Sequence, residues 1–243
     1  MHVIVSAYYK IPSKQPHNFY ITHLQKFFSF LHNNPIIFFC EESTKKEIES
    51  FNIPLDNVNF IILPFKNLYE ISGINEEMWN KTWELDPEKK YHTPELGLVW
   101  CCKKEFVRLA TNFDTNATWF IWVDAGCIRN ISWKESCKNF TKRRLSSLTP
   151  GVYLQLINPL ESKDFYKYPD VFIAGAIIIF HKNYILPYKE LYTKTLLQYY
   201  TNNTAFIMDQ YIMASMFKEN HVWLHAIPCI ESIDVWFFFL DWL

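Results

Sequence analysis

Along this chain, short, mostly apolar runs of strand length alternate with longer stretches where apolar residues recur every three or four positions. Val3–Tyr8, Pro35–Cys40 and Val58–Leu63 are runs of the first kind and read as buried strands, the last closed by Pro64. Between them, Phe19, Leu24, Phe27, Phe28 and Leu31 recur near helical spacing, which predicts a helix over 19–31. Ser43–Phe51 reads as a second helix, with Thr44 and Glu47 spaced as a capping box. A strand–helix–strand–helix–strand order predicts parallel pairing through right-handed crossovers.

Residues 64–94 are polar, irregular and broken by Pro87 and Pro94. A connection of that length points to a lid or a binding loop. Thr93-Pro94-Glu95 then supplies an N-cap, a proline at the first helical position and an early acid, and predicts a helix from Glu95 to about Asn112. A strand ending at Asp124 follows, and Ser132 with Glu135 marks a capping box opening a helix to about Arg144. Val152–Asn158 and Val171–Phe180 read as strands, and Lys182–Tyr200 as a helix strained at Pro187. Phe206–Lys218 reads as a helix, Val222–Ala226 as a short strand and Val235–Leu243 as an aromatic tail. No repeat or linker divides the chain. The expectation is one α/β domain over residues 1–243, Rossmann-like, with a mixed, mainly parallel sheet flanked by helices.

Composition narrows the function classes. Hydrophobic residues make up 49% of the 243 positions and charged ones 20%, enough to bury a core and too little charge for disorder. Twenty-four basic and 25 acidic side chains give a net charge of −1, and the one basic cluster, Lys142-Arg143-Arg144, is small, so no nucleic-acid partner is expected. Aromatics at 18% suit a dense core or stacking surfaces for sugars and bases. The six cysteines form no CxxC pair and read as free thiols, mostly buried. No apolar run approaches the roughly 20 residues that span a bilayer. The start of the chain lacks a signal peptide's pattern, so the expected location is the cytoplasm. On that reading the Asn-x-Ser/Thr triplets, at Asn80, Asn116, Asn130, Asn139 and Asn202, are compositional.

The candidate chemistry starts at Phe120-Ile121-Trp122-Val123-Asp124-Ala125-Gly126-Cys127-Ile128-Arg129, where a buried strand drives into an aspartate and a glycine follows two residues later. Open α/β sheets place ligands at such strand ends. The five glycines, at 73, 97, 126, 151 and 175, make neither GxGxxG nor GxxxxGK[ST]. A bound nucleotide's phosphates must therefore be met by a metal or by Lys and Arg.

Several segments, in order, carry a resemblance: Ser6-Ala7-Tyr8-Tyr9-Lys10, Thr93-Pro94-Glu95-Leu96, Trp100–Val107, Phe120–Arg129, Ala174-Gly175-Ala176, Asp209-Gln210 and the Trp236–Leu243 cluster. Together they resemble the HtrL/YibB family and the related capsid-decorating glycosyltransferases of large DNA viruses of the chlorella-virus type. The resemblance implies a GT-A fold and sugar transfer from a nucleotide-diphosphate sugar, UDP or GDP type, to a glycan or glycoprotein hydroxyl. If the chain is viral, the location becomes the host cytoplasm. The resemblance also implies a Mn²⁺ or Mg²⁺ ion held by Asp124, although glycine stands where the usual Asp-x-Asp has its second acid. A sugar- or ribose-hydroxyl contact and a structural turn remain as other roles for Asp124. Lys103, preferred to Lys104, and Arg129 are candidate donor contacts, each also readable as an ordinary surface or ion-paired side chain. Tyr8 and Tyr9 end the first strand, where one ring would stack on the base and the other turn into the core. Asp209 is the candidate catalytic base if the enzyme inverts and a sugar-hydroxyl ligand if it retains, with Gln210 donating an amide hydrogen bond. His225 is a candidate second metal ligand, against a core histidine. Trp79 and Trp83 suit either a sugar platform or core packing. One rival reading is a catalytically silent shell of the same fold that binds glycans or nucleotides; the other is a nucleotidyltransferase on a related α/β sheet, against which the absence of a glycine- and lysine-rich N-terminal loop argues.

Overall fold

The computed structural model describes residues 1–13, 15–142, 144–160, 170–229 and 234–243; Arg143 of the basic cluster lies outside the described residues. The chain opens as β1 (His2–Tyr8), α1 (His17–Leu31), β2 (Ile36–Cys40), α2 (Glu42–Glu49) and β3 (Val58–Ile62). Next come α3 (Asn67–Ser72), α4 (Glu76–Glu84), α5 (Pro94–Cys101), α6 (Lys103–Ala110), β4 (Trp119–Val123) and α7 (Trp133–Lys138). The chain continues through β5 (Val152–Leu156), β6 (Ile173–His181), α8 (Ile185–Thr201), α9 (Asp209–Met216), β7 (Leu224–Pro228) and α10 (Phe239–Trp242).

The seven strands among the described residues share one sheet in the order β3-β2-β1-β4-β6-β5-β7. The pairs β1–β2, β2–β3, β1–β4 and β5–β7 are parallel, whereas β6 runs antiparallel to both β4 and β5. The mixed, mainly parallel α/β sheet expected from the sequence is the one observed. β2, β4 and β6 are buried at every position, which explains why they read as unbroken apolar runs rather than alternating ones. Edge strand β3 alternates instead, and leaves Ile62 42% exposed.

Strand alternation sorts the core into two layers. Val3, Val5, Phe39, Phe120 and Trp122 face one way, where α6 packs on β1 and β4 and α9 packs on β6. Ile4, Phe38 and Ile121 face the other way, against Leu24, Phe27, Phe28 and Leu31 of α1 and against the C-terminal aromatics. Phe237, Phe238, Phe239, Leu240 and Leu243 are buried, so the tail completes the chain's own core. Gln155, itself fully buried, pins it by donating to Trp236 O (3.1 Å) and accepting from Phe239 N (2.8 Å).

The largest departure from the sequence reading is 64–94, which holds two helices rather than an irregular loop. Asn75 caps α4 by accepting from Met78 N (2.9 Å), and Trp79 and Thr82 bury its inner face. Neither tryptophan serves as a sugar platform. Trp79 is fully buried against Phe206, and the Trp83 indole donates to His92 O (2.8 Å). The helix expected from Glu95 is divided at Cys102, where ψ is −6°. Pro187 falls in the first turn of α8 and interrupts nothing, because N–H groups there have no intrahelical partner. The two expected capping boxes do not form. α2 begins one residue early with Thr44 buried, and Ser132 makes no cap hydrogen bond to a helix that ends at Lys138. All six cysteines are free, and only Cys229 is not fully buried.

Gly151, at the start of β5, is packed from outside. An added Cβ would lie 2.6 Å from Trp223 O and 2.6 Å from His225 Nε2. One obstacle is backbone, and the other is a ring stacked 4.4 Å from that of Tyr153, so neither yields cheaply. Gly151→Ala is expected to cost about 1–3 kcal/mol. At roughly 2–4 °C per kcal/mol for a chain of this size, the loss is readable in thermal unfolding. An unchanged Tm would contradict this packing.

Candidate functional site

β1 and β4 run parallel side by side, while β2 and β3 lie on the far side of β1. Strand order therefore reverses between β1 and β4, and a crevice is expected at their carboxyl ends. A cleft of about 570 Å³ lies there, and Tyr8, Tyr9, Lys103, Asp124, Arg129, Asp209 and Gln210 all line it. The Ser6 hydroxyl donates to Val123 O (2.6 Å) and Asp124 N donates to Ala176 O (2.7 Å), fixing β4's end between β1 and β6.

At the floor of the cleft, one ammonium serves two carboxylates. Lys103 reaches from the first residue of α6 and is 5% exposed. Its Nζ donates to Gly175 O (2.8 Å), and lies 3.2 Å from Asp124 Oδ1 and 2.8 Å from Asp209 Oδ2. The last contact is close in distance, yet Asp209 Oδ2 has no hydrogen bond of acceptable angle. Trp122 Nε1 donates to Asp124 Oδ1 (2.6 Å), so the indole aims the carboxylate. Gly175 makes room for the pairing, since a Cβ there would lie 2.9 Å from Asp209 Oδ2 and 2.8 Å from Met213 Cε. Burial alone would lower the Lys103 pKa, but Asp124 and Asp209 outweigh it and hold the ammonium above its ordinary value. Asp124 is shifted upward, by burial first and by Asp209's charge, against the opposing pull of Lys103. With both acids ionised the trio carries one uncompensated negative charge, and the Asp124 side chain stays 32% exposed.

Around this floor the walls are aromatic. Tyr8 shares a hydrogen bond with His17 Nδ1 (2.8 Å), and His17 Nε2 meets Glu47 (2.9 Å), so the ring is held at the cleft's edge. Burial, with Glu47's charge, pushes the Tyr8 hydroxyl pKa up. Tyr9 is 4% exposed, donates to Leu63 O (3.1 Å) and stacks on Phe106, so its ring belongs to the core. Tyr20 and Trp236 also line the cleft. Gly126 keeps φ outside the left-handed region, and the nearest atom to a Cβ there would be Tyr20 Cδ1 at 4.0 Å, so the residue leaves the entrance open. Arg129 is exposed, its guanidinium 5.1 Å above the Phe237 ring. Lys104 points elsewhere, buried over Tyr192 and donating to Cys101 O (2.9 Å).

Two outcomes differ from the sequence reading. His225 does not line the cleft: it sits on β7, stacked on Tyr153 and packed over Gly151, with burial lowering its pKa, so it does not join Asp124 as a ligand. His92 and Trp100, in contrast, line the cleft, although the sequence reading gave His92 no role and Trp100 none beyond a motif position. His92 lies between two helices in what reads as a loop, and it belongs to no HxH or HxxxH pattern that would have singled it out.

The upward shift of Asp124 fixes the sign of a stability effect. A carboxyl whose folded pKa is raised holds its proton more tightly folded than unfolded. Stability therefore falls as pH climbs from 3.8 through the raised value, and the ionised form is a net cost at neutral pH. In metal-free buffer at pH 7, Asp124→Asn is expected to be at least as stable as the parent in urea, with a flatter slope over this window. A loss of about 1 kcal/mol or more would contradict it.

No protein-family model matches the chain and no curated protein matches it, so the HtrL/YibB resemblance gains no support there. Among solved structures, a glycosyltransferase involved in the glycosylation of the major capsid of PBCV-1 is similar at 10% identity and a TM-score of 0.48, over 93% of this chain and 81% of that one. A likeness at that score carries no argument for activity or site.

Proposed function

We propose that this chain is a GT-A-like glycosyltransferase that moves a sugar from a nucleoside-diphosphate sugar, of UDP or GDP type, to a hydroxyl of a glycan or glycoprotein. The observation that carries the proposal is one cleft at the strand-order reversal holding aromatic walls, an exposed arginine and a carboxylate with negative charge to spare. The motif resemblance to HtrL/YibB proteins and viral capsid-decorating transferases belongs to the same proposal, as does a cytoplasmic location. Among the described residues no helix is long and apolar enough to cross a membrane.

In this reading the Tyr8 and Tyr20 rings take the base, because both line the cleft beside the end of β1. Arg129 meets the diphosphate with its planar fork of donors. Lys103 and Asp209, locked together, hold Asp124 in place, and Gln210 offers its amide to a sugar hydroxyl. Among the described residues no cluster of three His, Cys, Asp or Glu stands ready for a metal. Asp124 still fits Mg²⁺ or Mn²⁺ as a single protein ligand, with donor phosphates and water completing the shell, and the trio's residual charge favours a cation. When bound, the ion would offset charge on the departing diphosphate. Gly126 in place of a second acid favours the silent binding protein as the second reading.

A thermal-shift series with UDP- and GDP-sugars, each with Mn²⁺ and with EDTA, tests the proposal. At about 100 times its dissociation constant, a donor that binds only the folded chain should stabilise it by about 2.7 kcal/mol. The expected shift needs Mn²⁺, disappears in Asp124→Ala and accompanies release of nucleoside diphosphate. Stabilisation without release supports the silent binder, and no shift with any donor removes the transferase reading and moves a glycan-binding shell ahead.

A further inference from the structure

The transferase reading leaves unassigned the group that accepts the acceptor's proton. Asp209 is poorly placed for it. It is 5% exposed, and its Oδ2 lies 2.8 Å from the Lys103 ammonium, so the carboxylate is turned towards that buried cation.

Another residue that lines the cleft, His92, offers a better group. Asp86 follows α4 in the turn leading to α5 and is 4% exposed. Its Oδ1 accepts from Glu88 N (2.9 Å), and its Oδ2 lies 2.7 Å from His92 Nδ1. Two hydrogen bonds hold the residue's backbone, and one aromatic contact holds the ring. Its backbone N–H donates to Glu88 O (3.1 Å), its carbonyl accepts from the Trp83 indole (2.8 Å), and Trp100 meets the ring edge-on at 5.3 Å. Nε2 makes no hydrogen bond among the described residues, and the nearest charged atom is Glu88 Oε2 at 3.9 Å. The ring lines the same cleft as Lys103 and Asp124. A buried carboxylate on Nδ1 puts the proton on that nitrogen and leaves the Nε2 lone pair free, the arrangement that makes histidine a general base.

We infer that His92 is the general base of the transfer and that Asp86 is its positioning residue, an inference that rests on the transferase reading. The acceptor oxygen forms a bond to the anomeric carbon as its proton passes to His92 Nε2. The bond from that carbon to the diphosphate oxygen breaks, and its electron pair leaves with the nucleoside diphosphate. A base on the acceptor side acts in a single displacement, so the product's anomeric configuration is inverted relative to the donor. A purely structural His92 would need the Asp86 contact and the packing, but not a nitrogen free of hydrogen bonds on the cleft wall.

The test measures nucleoside-diphosphate release from UDP- and GDP-sugars with Mn²⁺, water standing in for the acceptor, for the parent, His92→Gln and Asp86→Asn. The Asn amide would donate to Nδ1, moving the ring proton to Nε2 at nearly constant side-chain size. Both variants should lose roughly 10²–10⁴-fold in kcat. Donor KM should stay within about threefold, and thermal stabilisation by UDP should be unchanged. Nitrogen chemical shifts of the His92 ring supply a readout independent of turnover: Nδ1–H in the parent, Nε2–H in Asp86→Asn. Parent turnover matched by both variants overturns the dyad alone, as does retained anomeric configuration, an Nε2–H tautomer in the parent, or UDP stabilisation lost in step with kcat. A parent that turns over no donor overturns the transferase reading and the dyad's role with it.

Discussion

The structure of the cleft depends on a single buried cation. The Lys103 ammonium comes from α6, and its partners come from three other places: Asp124 beyond β4, Gly175 O in β6 and Asp209 at the first turn of α9. Removing Asp209 would take away the ammonium's most buried anionic partner, and removing the ammonium would leave two carboxylates facing one another. Breaking such a pair by truncation costs about 3–5 kcal/mol, far more than an exposed ion pair contributes. The lysine therefore fixes where the helices of one layer meet the sheet, and keeps Asp124 aimed outward while its neighbours are held in.

That arrangement is possible because the surroundings are so apolar. Strands buried on both faces and the aromatic layer of Phe106, Trp122 and Tyr9 exclude water from the lysine's stem. The same dryness pushes the Cys101, Cys102 and Cys127 thiols upward, so they stay protonated and inert beside a site full of charge. Gly175 is the geometric counterpart: an alanine there would drive Asp209 off the ammonium.

How much of this was legible in the sequence follows from range. β1 to β4 were readable because short, mostly apolar runs leave few alternatives, and Asp124 was readable because an acid ending such a run has one place to go. The helices within 64–94 were missed because each is short, and a cap such as Asn75 to Met78 looks like any polar turn until Trp79 is seen buried. Lys103 was nameable as a candidate, but its two anionic partners lie 21 and 106 positions onward, and no local pattern pairs them. His225 misled for the mirror-image reason. A histidine in an apolar strand says nothing about which end of the sheet it occupies, and β7 puts it over Gly151. Asp86 and His92 are only six residues apart, yet a turn brings them together and turns carry no periodicity.

The two walls of the cleft then solve different electrostatic problems. A group that binds the donor diphosphate must tolerate strong positive charge nearby, whether from Arg129, Lys103 or a divalent ion. A group that accepts a proton must keep its lone pair away from those same cations. A carboxylate cannot do both in a dry cleft of this size, because any cation drawn in for the diphosphate also neutralises it. An imidazole whose Nδ1 faces Asp86 presents Nε2, not an anionic oxygen, to the cleft. In the proposed transfer the Asp86 carboxylate would stand beside the ring as it takes the proton. In the proposed transferase, separating an acidic floor suited to a cation from an imidazole wall would let one small cleft hold a polyanionic donor and still deprotonate an alcohol.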